Sequence, residues 1–270
     1  MLQPRYLPNP DRLSVLAATI LLAYALTRFV DLPARDFAIQ LPGVFLAFQV
    51  NFRTVVALLA AGLTASGADW LLRDHPALGD HSTFQHWLLP ALTAWVIGVP
   101  LFLLPFGILW WVIFAIGGSL LMLVLVAEYI VVDPEDIRYP PAAAMLTAVS
   151  FVLFLVLAIV LRSAGLRLYL ILPAVIAAGG LVSLRTLRLR LPGSWRGWEA
   201  LVIALVVGQL SAALHYWPLS PVAYGLALLG PVYALTGLLR GLAEGETLRQ
   251  AILEPGLVLC VVWVVAIWMR

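Results

Sequence analysis

Lysine is absent from this chain: the 16 basic positions are all arginine. That excludes Schiff-base chemistry, a retinal pigment included, because the imine needs a lysine amine. Cysteine is almost absent too. A lone Cys260 excludes an internal disulfide, a cysteine-ligated iron–sulfur cluster and a CxxCH haem site. Charge is scarce, at 11% of residues against about 25% in soluble domains. No Gly-x-Ser-x-Gly, His-Glu-x-x-His or P-loop pattern occurs. No apolar run carries two acids or an acid–arginine pair near its centre, the groups an ion-coupled transporter usually needs. The net charge of +2 is small and does not point to nucleic acid, and no nucleic-acid partner is expected.

What is present is apolar length. The chain has 270 residues, 63% of them hydrophobic, in blocks of the length that crosses a hydrocarbon core about 30 Å thick. The pattern predicts an all-α polytopic membrane protein of about nine transmembrane helices, near 13–30, 54–72, 86–106, 108–132, 140–161, 167–185, 198–216, 219–239 and 250–269. The first run comes after basic residues as in a signal peptide, but it ends at Arg28 without a small-residue cleavage motif and is read as a retained span. Connections such as "PFG" and "DPEDIRY" leave no room for a soluble domain. A single membrane-embedded helical domain, 1–270, is therefore expected. No internal repeat of the inverted-repeat transporter kind is visible.

Arginine placement sets the expected orientation. With "RTLRLRLPGSWR" in the cytoplasm, the outer side holds Arg28, Arg35, Arg53, Arg162, Arg167 and Arg270, and the other ten arginines lie inside. The N-terminus is then cytoplasmic and the C-terminus outside. The segment "FAIQLPGVFLAFQVNF" (Phe37 to Phe52) does not fit a spanning helix. Phe37, Ile39 and Leu41 alternate with Ala38 and Gln40, and Phe48, Val50 and Phe52 alternate with Gln49 and Asn51. That is the strand period, and Pro42-Gly43 suits the centre of a type II turn. A short amphipathic β-hairpin or re-entrant insert at about 37–53, lying on the outer face, is the leading reading, because a lone hairpin has unpaired edges that lipid cannot satisfy. The competing reading is a partly buried helix broken at Pro42.

The densest polar stretch is "RDHPALGDHSTFQHW". His75, His81 and His86 with Asp80 are the residue types that hold a divalent ion such as zinc, so a divalent metal is the one cofactor the residues suggest. The spacing opposes it: His81 and His86 are five apart, not the four of one helix face. Ser82 with Gln85 also fits a capping box for the third span. Asp69 and Arg73, at i and i+4, can neutralise each other. Glu128 is the best-embedded acid, about 7 Å from the end of its span. Gln209 reads as an inter-helix hydrogen-bonding group, and His215 as an interfacial anchor. Arg185, Arg188, Arg190 and Arg196 form a candidate lipid-headgroup surface, although the positive-inside rule alone predicts such a cluster.

"GADWLLRDHP" (Gly67 to Pro76) and "HYWPLSP" (His215 to Pro221) resemble an uncharacterised bacterial family of multi-pass membrane proteins. The resemblance implies no assigned activity and transfers no site residue. The location expected is a bacterial inner (plasma) membrane, and the partners expected are the lipid bilayer and other membrane proteins. The leading functional expectation is a non-catalytic scaffold or accessory subunit of a membrane assembly, with no catalytic residue assigned. The rival is an enzyme or carrier for a lipid-like substrate, its site formed where Asp69, Arg73, His75, His81 and His86 meet the inner interface.

Overall fold

The computed structural model describes residues 7–27, 29, 35–41, 44–50, 52–79, 82–191 and 196–269. The chain divides into two compact units, Met1–Asp136 and Ile137–Arg270, and each is described by itself. Among the described residues the fold is helical, with nine helices. Eight are long and apolar enough to cross a membrane, as a multi-pass membrane protein requires.

The first unit holds α1 (Pro10–Leu26), α2 (Phe52–Leu72), α3 (Phe84–Leu103) and α4 (Ile108–Ile130). α1 starts where the Asn9 side chain accepts from the Asp11 and Arg12 amides at 2.9 and 3.4 Å. Pro10 stands at the first helical position, where its missing N–H costs nothing. α1 runs 17 residues, about 25 Å. It ends before Val30, where the first span is expected to end, and at 17 residues is at the short end of spanning length. Between α1 and α2, β1 (Arg35–Leu41) pairs antiparallel with β2 (Val44–Val50), Phe37 opposite Phe48. Pro42 and Gly43, the expected turn, lie outside the described residues.

The first unit's core gathers Leu16, Ile20 and Tyr24 of α1 with residues of α2, α3 and α4. The Tyr24 hydroxyl donates to the Ala94 carbonyl at 2.5 Å, and the Trp110 indole donates to the Leu101 carbonyl at 3.0 Å. Both buried polar tips are thereby satisfied within apolar surroundings. Glycines permit close approaches: a Cβ on Gly98 would lie 2.8 Å from the Tyr24 ring, and one on Gly117 2.6 Å from Ile97. A Cβ on Gly62 would meet nothing within 4 Å among the described residues.

The second unit holds α5 (Tyr139–Ser163), α6 (Leu168–Arg190), α7 (Gly197–His215), α8 (Pro221–Ala243) and α9 (Leu248–Trp268). Gly165 and Gly245 end α5 and α8 with φ of 62° and 85°, the left-handed region that glycine enters without a Cβ penalty. Ser220 caps α8, its Oγ accepting from the Ala223 amide at 3.2 Å. The Gln250 carboxamide accepts from Thr247 N–H at 3.2 Å and starts α9. α6 continues to Arg190, five residues beyond the expected end. Arg185, Arg188 and Arg190 are therefore helical rather than loop residues. The run "LVSLRTLRLR" contains no glycine or proline to stop it, and Pro192 comes two residues after its end.

α9 is the most outward of the spans. Only 17% of its most apolar window is buried, against 56% for α3, and Leu257, Val264 and Trp268 point outward. Such a face is costly in water and neutral in lipid.

Candidate functional site

The polar cluster predicted around residues 69–86 assembles at one end of the first unit, mostly as partners of one another. Asp69, near the end of α2, is the hub. Its carboxylate lies 2.7 Å from the Arg73 guanidinium and accepts from the Thr83 hydroxyl at 2.5 Å. The expected i,i+4 pair thus forms and also ties α2 to the start of α3. Asp74 lies 2.6 Å from Arg12 of α1. Arg12 in turn donates to the Trp70 carbonyl at 3.3 Å and sits over the Trp70 ring at 4.7 Å. The "DWLLRD" stretch therefore clamps α1 to α2.

His86 is directed inward by the first turn of α3. Its Nδ1 lies 2.9 Å from Oε2 of Glu128 on α4. The two side chains are 6% and 1% exposed, so each needs the other to avoid an unmet polar group in the core. His75, in the α2–α3 connection, packs edge-on to the Tyr129 ring at 4.5 Å. Its Nδ1 accepts from the Ala77 amide at 3.2 Å. Burial holds the His75 pKa below the usual imidazole value and neighbouring His86 adds to that, while Asp133 and Asp136 oppose it. The Ser82–Gln85 capping box takes a different form. Ser82 Oγ accepts from the Phe84 amide at 3.3 Å, and the Gln85 carboxamide lies 3.4 Å from His86 Nε2.

Of the four candidate metal ligands, the structure places His86 against the buried acid Glu128 and His75 against the next residue, Tyr129. Asp80 and His81 lie outside the described residues. Among the described residues no three histidine, cysteine or acidic side chains converge on a point where they would hold a metal ion. Glu128 lies 42 positions from its histidine, and no local spacing signals that pairing.

The candidate lipid-facing arginines separate. Arg185 is 3% exposed, Arg190 is exposed, and Arg196 pairs with Glu199 at 3.2 Å across the first turn of α7. Still in the second unit, His215 belongs to a clamp. Arg162 of α5 donates to the His215 carbonyl at 2.8 Å and to the Trp217 carbonyl at 3.1 Å, and lies over the Tyr224 ring at 5.4 Å. The segments "GADWLLRDHP" and "HYWPLSP" are thus each held by an arginine from another helix of their own unit.

Residues 32–269 match a family described as "Protein of unknown function (DUF5656)". The chain belongs to that family. Membership of DUF5656 takes in every helix but α1 and both arginine-clamped segments, and it carries no activity with it. No curated protein and no solved structure matches the chain.

Proposed function

We propose that this DUF5656 protein is a non-catalytic subunit that scaffolds or accompanies a membrane assembly in a plasma membrane, with the lipid bilayer and other membrane proteins as its partners. The buried His86–Glu128 pair carries the reading. His86 of the polar cluster bonds Glu128 across α3 and α4, while Arg73 and Thr83 each bond Asp69. Catalytic groups are held ready for a substrate, with reactive atoms exposed to it. These atoms are engaged by the fold and hold helices together. The lipid-substrate enzyme or carrier is the reading to exclude.

Two measurements test this. Metal content of the purified chain, alone and with His81→Ala and His86→Ala together, is expected to stay below stoichiometry in both. Stoichiometric metal lost in the double variant overturns the non-catalytic reading. Native mass spectrometry from the host membrane is expected to show the chain in a complex of fixed stoichiometry with a second membrane protein. A lone chain under the same conditions overturns the accessory role.

A further inference from the structure

The second unit carries a polar cleft where the C-terminal parts of α6 and α8 meet the N-terminal part of α9. Its polar lining is Thr186 and Arg190 of α6, Tyr233, Thr236 and Arg240 of α8, and Glu254 of α9; the Thr236 hydroxyl is already bonded to the Val232 and Tyr233 carbonyls. Gly237 and Pro255 form an apolar part of the wall, and a Cβ on Gly237 would lie 2.9 Å from the Pro255 ring. The enclosed part of the cleft admits about one water-sized group, and its mouth is open.

The lining is incompletely satisfied, and the deficit falls on the groups an oxyanion would engage. Thr64, Thr93, Thr147 and Ser150 bond back to the carbonyls of Ala60, Leu89, Ala143 and Leu146 at 2.6–2.8 Å. Thr186 does not. It is 2% exposed, and its Oγ1 has no hydrogen-bond partner among the described residues. Ser183, one turn earlier on α6 and outside the cleft, is also buried without a hydrogen-bond partner among the described residues. Arg240 Nε is likewise buried without a hydrogen bond among them. The Arg240 guanidinium is ion-paired at long range with Glu244, 3.8 Å from Nε, and with Glu254, 3.9 Å from Nη2, both beyond hydrogen-bond length. Arg190 is exposed, with no carboxylate within ion-pair distance among the described residues. Glu254 accepts from the Tyr233 hydroxyl at 3.3 Å and flanks Arg240. Buried donors left unmet are costly, and charged groups within spanning helices mark sites.

We infer that this cleft binds the phosphoryl group of a membrane lipid headgroup. One phosphoryl oxygen enters beside the Thr186 hydroxyl and Arg240 Nε, and Arg190 closes on the oxygens at the mouth. Guanidinium is the group suited to this, because its planar fork matches the geometry of phosphate oxygens. The end of the unit carrying Arg188, Arg190, Arg240 and Arg249 is also the end where an anionic headgroup layer is attracted. The inference requires the helices to span a bilayer and is independent of the accessory-subunit reading.

The test uses the full chain in detergent, with native mass spectrometry reading the bound fraction. The probes are short-chain phosphatidic acid, phosphatidylglycerol, diacylglycerol of the same acyl length, and inorganic phosphate. Retention of both phospholipids and not of diacylglycerol is expected. Arg190→Gln and Arg240→Gln should each weaken phosphatidic acid binding about tenfold, and Thr186→Val by a smaller factor. Arg249→Gln, an exposed arginine outside the cleft, should bind as the unmodified chain does, and Glu254→Gln should bind at least as tightly. Unfolding temperatures control for misfolding, and Arg190→Gln, at an exposed position, keeps the test valid if Arg240→Gln does not fold. Equal loss in Arg249→Gln means diffuse charge attraction and overturns the site. So does equal retention of diacylglycerol, or loss of binding in Glu254→Gln with none in Arg190→Gln. Binding of inorganic phosphate with no phospholipid retained overturns the lipid as its source.

Discussion

Glu128 and His86 meet across α3 and α4 in the first unit. Each is buried, and each is the other's hydrogen-bond partner at 2.9 Å. Removing one partner takes this contact from the other inside the core, which costs about 3–5 kcal/mol when the pair is ionic. Glu128→Leu and His86→Leu are each expected to lower unfolding stability in detergent by that order. The double variant is expected to recover part of the loss, because neither the imidazole nor the carboxylate is then left without the other. Additive losses across the double-mutant cycle would show that the two side chains do not support each other. At this scale the sequence was partly legible. Asp69 and Arg73 pair as their i,i+4 spacing predicts, and Glu128, the acid set furthest into an apolar run, is buried within the protein. The partner of Glu128 was not legible, since it comes from another helix.

At the scale of elements, helix ends explain where expectation and structure part. Apolar length located the helices, because a run of about 20 residues has few alternatives in lipid. Ends depend on local capping and on the residues just beyond them. α6 passes Arg185 and reaches Arg190 because no breaker intervenes before Pro192. α1 stops at Leu26, and the Thr27 amide and hydroxyl both bond back to the preceding turn, to the carbonyls of Ala23 at 3.3 Å and Tyr24 at 2.6 Å. α9 carries a prediction of its own. Its 21 residues extend about 31 Å, and exposed Cys260 stands near their middle. If α9 spans the bilayer with that face in lipid, a membrane-impermeant maleimide leaves Cys260 unlabelled in sealed vesicles and labels it after denaturation. Prompt labelling in sealed vesicles would remove α9 from the set of spans.

For the molecule as a whole, the arginine distribution predicts which connections share a side of the membrane. Cysteines introduced singly at Tyr216 and Glu246, in a Cys260→Ala background, flank α8. Glu246→Cys should react only with reagent inside the cell and Tyr216→Cys only with reagent outside. The reverse result inverts the orientation, and reaction of both from one side shows that α8 does not cross. Composition alone determined the membrane class, the helical architecture and the exclusion of lysine- and cysteine-based chemistry. Those conclusions rest on bulk solvation and on which functional groups the chain possesses, and neither depends on how helices are arranged. Tertiary structure decided the rest. It joined His86 to Glu128, set Arg162 on the carbonyls of His215 and Trp217, and brought Thr186, Arg190, Arg240 and Glu254 around one cleft. Residues so far apart in the chain meet only through helix packing, and the periodicity of a single helix holds no record of which neighbour its polar face will find.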